Sequence, residues 1–268
     1  MNMLKRVLLV LILCALTGPV YANPTRGEVM NVRGRAYVTN TQQSRAPLKI
    51  GDFIQAQDIV ETDADGRLDI SFDKEWKNVA RIEENAQMTV RSVVPASLEL
   101  RQGGIYADLR SLPKRSVFKV TTPSAVASVR GTEFRTIHTL DQVMIYNYSN
   151  SPVEVYGRTS DGHLLKPATV LKARQKTTVP GVGAPPDPPQ LMSPSDSEQG
   201  ARMRAQIESK SGELIQAGYY GQIQSVREQE EQANLRLIFI IIGVCLAGIV
   251  ITMVIASRSI KKGAKSKK

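Results

Sequence analysis

The chain has 268 residues, a formal charge of +10 and 42% hydrophobic residues, enough for one or two packed domains. Lys5 and Arg6 near the start and six bases among the last eleven residues carry most of the excess charge, and the middle is close to neutral. A basic total made by two ends is a topology signal, and no nucleic-acid partner is expected.

Residues 1–22 read as a secretory signal. Lys5-Arg6 form the positive start, Val7 to Leu16 the apolar core, and Val20-Tyr21-Ala22 the small-residue approach to a cut before Asn23. The apolar core is too short to span a bilayer stably. Cys14 follows Leu13, which makes a poor lipidation site. Cys14 leaves with the signal, and Cys245 lies in a second hydrophobic run. The body between has no cysteine and must be stable from its core alone.

From Gly27 the chain reads as short strands and turns. Val29 to Val32 precede Gly34, and Ala36-Tyr37-Val38 follow it. LKIGDFIQAQ (48–57) and Ile59 to Thr62 come next. Asp65-Gly66 then marks a hairpin into Arg67 to Phe72, where Leu68, Ile70 and Phe72 face one way and Asp69 and Ser71 the other. The D-x-D-G at 63–66 lacks calcium-loop spacing, with the glycine too early and no closing glutamate. Val79 to Ile82, Gln87 to Ser92, Ser97 to Arg101 and Ile105 to Leu109 continue the series.

The stretch Val117 to Ile137, VFKVTTPSAVASVRGTEFRTI, is the most informative. Phe118 and Val120 alternate with polar neighbours, as in a strand. Pro123 ends ladder bonding and biases Thr122 toward extended geometry. Ala125 to Val129 is a second apolar run. Gly131 permits a turn at positive φ, and Phe134 and Thr136 resume a strand. Two readings of Arg130 and Thr132 stay open: they satisfy backbone carbonyls at the turn, or Arg130 contacts a ligand or partner.

The order T-P-x-A-x-x-x-V-R-G-T-x-F resembles the signature of the FecR domain, a bacterial periplasmic all-β module. LKIGDFI, TDADGRLDISF, ARIEENAQMTV and LELRQGGIYADL resemble the same domain in its order, so the likeness runs from about Gly27 to Gly157. Thr122, Pro123, Arg130, Gly131, Thr132 and Phe134 would be its structural motif. One departure is Phe72 to Val79, where the family has a tighter glycine turn. Trp76, the lone tryptophan, sits there as a cap on the sheet or as an exposed partner contact.

Gln142 to Tyr148 and Pro152 to Tyr156 alternate again. Asp161-Gly162 turns, Ala168 to Leu171 follow, and Thr177 to Val179 end the β region, which spans 23–179. About eleven to thirteen short strands imply an all-β sandwich, roll or solenoid-like module. The resemblance implies a solenoid-like stack of hairpins. Residues 180–200 are rich in Pro, Gly and Ser and read as a semi-stiff linker. Residues 201–236 read as a helical stalk with Met203, Ile207, Leu214, Ile215, Ile223 and Val226 as a broken apolar stripe.

Leu237 to Ala256 is twenty residues without a charge, about 30 Å as a helix, the thickness of a hydrocarbon core. With a basic tail at 257–268, the positive-inside rule places the tail in the cytoplasm and the body outside, held at the bacterial inner membrane and its lipid. Gly243-x-x-x-Ala247 with Gly248 would let two such helices approach, so a homodimer through stalk and span is one expectation.

No GxSxG, Walker, Rossmann or HExxH pattern occurs. His138 and His163 lie far apart in sequence, and Glu83-Glu84 would point to opposite faces of a strand. No enzyme activity, cofactor, metal site or catalytic residue is expected. In FecR-type regulators an N-terminal cytoplasmic anti-sigma segment precedes the span. This chain has a signal peptide there and carries its span at the other end, so any message would pass through a membrane partner. The expected role is a sensor or protein-interaction module of envelope signalling, with Arg130 and Trp76 as candidate contacts to an envelope protein. The alternative is a non-enzymatic scaffold binding a cell-wall component or polysaccharide.

Overall fold

The structure, a computed structural model, describes residues 26–113, 116–140 and 142–218, and beyond them positions 229, 232, 233, 235, 236, 238–243 and 248. The signal region 1–22 and the tail 257–268 lie outside the described residues, as does most of 237–256. Among the described residues no helix is long and apolar enough to cross a membrane. Those up to Ser211 form one compact unit and those from Gly212 onward a second.

The described residues of the first unit form seventeen strands. They begin with β1 (Gly27–Arg33), β2 (Ala36–Thr39), β3 (Arg45–Pro47), β4 (Phe53–Ile54), β5 (Ile59–Thr62) and β6 (Arg67–Ser71). Then come β7 (Asn78–Ile82), β8 (Gln87–Val93), the long β9 (Ala96–Leu109), β10 (Phe118–Thr121), β11 (Ala125–Val129) and β12 (Glu133–His138). The series ends with β13 (Val143–Asn147), β14 (Val153–Gly157), β15 (Thr169–Leu171), β16 (Gln175–Val179) and β17 (Gln190–Leu191), and a helix, α1 (Pro194–Gln216), follows.

The pairings resolve into two layers. Sheet A runs β4-β1-β6-β7-β9-β12-β13-β16-β17. Sheet B runs β3-β2-β5-β8-β9-β10-β11-β14-β15. Strand β9 belongs to both. Its first half pairs with β8 in sheet B, and the second half, after Gly103 (φ 89°), pairs with β7 and β12 in sheet A. The chain therefore crosses between layers every strand or two, the winding of a solenoid, while the layers pack as a sandwich. The all-β character expected from the sequence is present.

Period-2 alternation builds the interior. Leu68, Ile70, Ala80, Ile82 and Ile105 of sheet A meet Val90, Leu98, Val120, Val153 and Val155 of sheet B in one buried cluster. Phe118 and Phe134 meet edge-on across it, with ring centroids 6.0 Å apart. At about 25 cal/mol per Å² of apolar surface removed from water, such a core supplies the stabilisation that a disulfide-free body needs.

The composition of residues 180–200 predicts a semi-stiff extended linker, but the structure ties the segment to the β body. The Gly183 N–H donates to Arg158 O at 2.8 Å and that of Asp187 to Thr178 O at 2.8 Å, while β17 extends sheet A. The helix also starts earlier than the predicted stalk. Ser193 accepts from the Asp196 N–H at 3.1 Å, and the Ser193 N–H donates to the Asp196 carboxylate at 2.9 Å, a capping box with Pro194 at the first helical position.

Candidate functional site

The motif hairpin comes first. The Thr122 hydroxyl accepts the Ala125 N–H at 2.9 Å and donates to Ala125 O at 3.2 Å, closing the turn between β10 and β11. Arg158 donates to Thr122 O at 3.2 Å from the far side. Pro123 caps the turn in solvent, and Phe134 is fully buried. Gly131 has a φ of 93°, where a side chain would strain the backbone. Thr122, Pro123, Gly131 and Phe134 thus have structural work.

Among the described residues neither Arg130 nor Thr132 shows the carbonyl bond of the turn reading. Arg130 is exposed, with no hydrogen bond or ion pair among the described residues, and the buried Thr132 hydroxyl has no hydrogen-bond partner there. Arg130 therefore stands exposed at the tip between β11 and β12.

Trp76 is corrected in the other direction. It is only 6% exposed, so the expectation of an exposed partner contact fails and the cap reading describes it. Its loop takes the place of a glycine turn. The Asp73 carboxylate accepts the N–H groups of Glu75 at 2.8 Å, Lys77 at 3.1 Å and Asn78 at 2.5 Å, while Trp76 itself adopts a φ of 55°.

The most elaborate side-chain arrangement lies on the outer face of sheet A. The register aligns Asn31, Asp69, Arg81, Tyr106, Arg135, Tyr146 and Lys176 as direct neighbours across seven strands. Arg81 grips Asp69 with two bonds, Nε to Oδ1 at 2.7 Å and Nη2 to Oδ2 at 2.9 Å, and both side chains are 2% exposed. Asn31 donates to the same carboxylate at 3.0 Å. Arg135 holds Glu83 by two bonds, one of them Nε to Oε1 at 2.6 Å. Tyr106 donates to Glu133 at 2.6 Å.

Helix α1 covers this row. Met203 and Ile207, four apart and so on one face, are buried, and Gly200 lies against the Tyr148 ring. Polar groups follow the same seam. Gln206 Oε1 accepts from Arg81 at 2.7 Å and Arg67 at 2.9 Å, Arg204 pairs with Glu133, and Glu208 accepts from Arg110 at 2.6 Å. Lys176 donates to Asp196 at 2.8 Å at the helix start.

The titrations suit a row that holds charge. Burial, then the Glu133 carboxylate, push the Tyr106 phenol far above its ordinary value, and burial raises Tyr148. Burial works against the Arg135 charge, but its bonds to Glu83 outweigh that and raise its pKa. None of these groups is poised near neutrality for proton transfer.

The remaining sequence candidates are not drawn together. Glu83 faces Arg135, whereas Glu84 lies 3.7 Å from Arg67. His163 is exposed beside Asp161, and His138 is half-buried in β12. Asp63 of the D-x-D-G turn pairs with Arg35 at 3.0 Å. Beside Pro123 and His138 lies an open cleft of about 230 Å³, below the usual range of a ligand pocket. The geometry offers surfaces more than cavities.

The fold and its features define a disulfide-free two-sheet β module closed by a helix. Residues 58–151 match the family model described as FecR protein, so the chain carries a FecR domain there. The β body continues on both sides of that match, from Gly27 to Leu191. No curated protein matches the chain. Two crystal structures of a candidate anti-sigma factor from Parabacteroides distasonis, at 2.50 Å and 1.65 Å resolution, are similar to it over 50% of this chain, with 11% identity and TM-scores of 0.41 and 0.40. The chain spans 60% of the length of those structures.

Proposed function

We propose that this is a membrane-anchored, exported FecR-domain protein that works by protein recognition in envelope signalling, without catalysis. The FecR domain at 58–151 is the observation that carries the reading. The exposed Arg130 cation, displayed beside a turn fixed by Gly131, supports recognition through a contact point on a rigid scaffold. The uncharged run 237–256 and the basic tail supply the anchor and its orientation, with the body in the periplasm and inner-membrane lipid around the span. The partner is an envelope protein, and a message would cross the membrane through it.

A photo-crosslinking amino acid placed at position 130 in living cells tests this. A discrete adduct with one envelope protein is expected, and Arg130→Ala should weaken capture of that protein without changing the melting temperature. Adducts only with peptidoglycan would favour the scaffold alternative and overturn the signalling reading.

A further inference from the structure

We propose that α1 is a releasable latch over a helix-docking surface on sheet A. The surface, centred on Arg81, Tyr106, Arg135 and Tyr148, receives an amphipathic helix with two apolar residues four apart, flanked by a cation and an amide. Its resident occupant is the chain's own segment around Met203 and Ile207. The inference concerns the β unit alone and does not rest on the membrane or envelope reading.

The first argument is where the charges are neutralised. Arg81 is satisfied by Asp69, and Arg135 by Glu83, all within the sheet. Glu133 keeps the Tyr106 hydroxyl, and Arg110 keeps Asp108 at 2.6 Å. Lifting α1 therefore splits the Arg204–Glu133 pair, while Arg81, Asp69, Arg135 and Glu83 keep their partners within the sheet and escape the costly outcome of a stranded buried ion. A face meant to stay covered would not need these in-plane pairs.

The second argument is the thinness of the seam. Below Ser211 the helix buries Met203 and Ile207 as its large apolar side chains, and its polar contacts with the sheet include those of Asp196, Arg204, Gln206 and Glu208, of which the last two are exposed. Contacts with one exposed partner contribute little. The core beneath continues across both sheets without the helix, since the buried cluster contains no α1 residue. Thirdly, the row is rich in arginine and tyrosine, the side chains that dominate binding energy when a protein surface is covered. Latch and sheet thus form two cooperative units of unequal stability.

Hydrogen exchange on the purified full-length chain tests the latch. Amides of 198–211 should exchange at least tenfold faster than those of β7, β9 and β12. In an Arg204→Ala/Gln206→Ala variant they should exchange roughly tenfold faster again, with strand protection unchanged. A second variant, Ala201→Gly/Ala205→Gly, weakens the helix from its exposed side and should act in the same direction. A fluorescent synthetic peptide spanning residues 192–212 should then bind both variants at least fivefold more tightly than the parent chain, because the resident helix no longer competes. Exchange of helix and strands at one common rate in all three proteins, or failure of the peptide to bind either variant, would overturn the proposal.

Discussion

The two outer faces of the sandwich use the same alphabet and end in opposite environments. On sheet B, Arg91 stands in solvent beside Glu99, and Lys119 is exposed on β10. On sheet A, Arg81 and Asp69 occupy equivalent alternating positions in their strands yet are almost completely enclosed. Alternation fixes which way a side chain points. It does not fix whether that side is wet, because the covering element lies elsewhere: Gln206 meets Arg81 from 125 residues further on.

The contrast predicts very unequal costs for the same substitution. Arg81→Ala strands Asp69 beneath α1 and should cost about 3–5 kcal/mol of unfolding free energy. Arg91→Ala breaks an exposed pair and should cost no more than about 1 kcal/mol. Urea titrations of the two variants measure both, and equal costs would break the comparison.

Two glycines of α1 sharpen it further. A Cβ on Gly200 would sit 2.4 Å from the Tyr148 ring, whereas one on Gly212 meets nothing within 4 Å. Gly200→Ala should therefore destabilise by about 1–3 kcal/mol through overpacking. Gly212→Ala should strengthen the helix by up to about 1 kcal/mol. Thermal melts followed by circular dichroism at 222 nm should shift in opposite directions.

The smallest effect comes from pH. Burial raises Asp196, but the hydrogen bonds from Lys176 and Ser193 outweigh it and hold the carboxyl below its ordinary value of 3.8. A carboxyl depressed in the folded state contributes stability that is fully present above its unfolded pKa and is lost as pH falls through the folded one. Helix α1 should therefore loosen at its start below about pH 4, and Asp196→Asn should remove that part of the acid response. An unchanged acid profile in the variant would assign the response to other groups.

Much of the β body was legible in the sequence. Leu68, Ile70 and Phe72 face the core as their alternation predicts, and the T-P and R-G-T turns fall between β10, β11 and β12. Ser97 to Leu109 reads as two strands broken by glycines but is the single β9, because Gly103 bends the strand between layers and does not end it. Ser193-Pro194-Ser195-Asp196 has linker composition, and its capping-box spacing was the local signal of a helix start. The row on sheet A was not legible. Each of its charges looks like an ordinary solvent-facing strand residue, and only the register and the distant helix bring them together. Trp76 was caught between two readings because its positive φ depends on three N–H groups gathered by Asp73.

The coverage of sheet A by α1 is tested most directly by the oxidation of Met203 in the full-length chain. At 7% exposure, Met203 should react with dilute peroxide at least tenfold more slowly in the native protein than in concentrated urea, as read by peptide mass spectrometry. Equal rates in the two conditions would mean that the helix does not lie on the sheet, and would contradict the account.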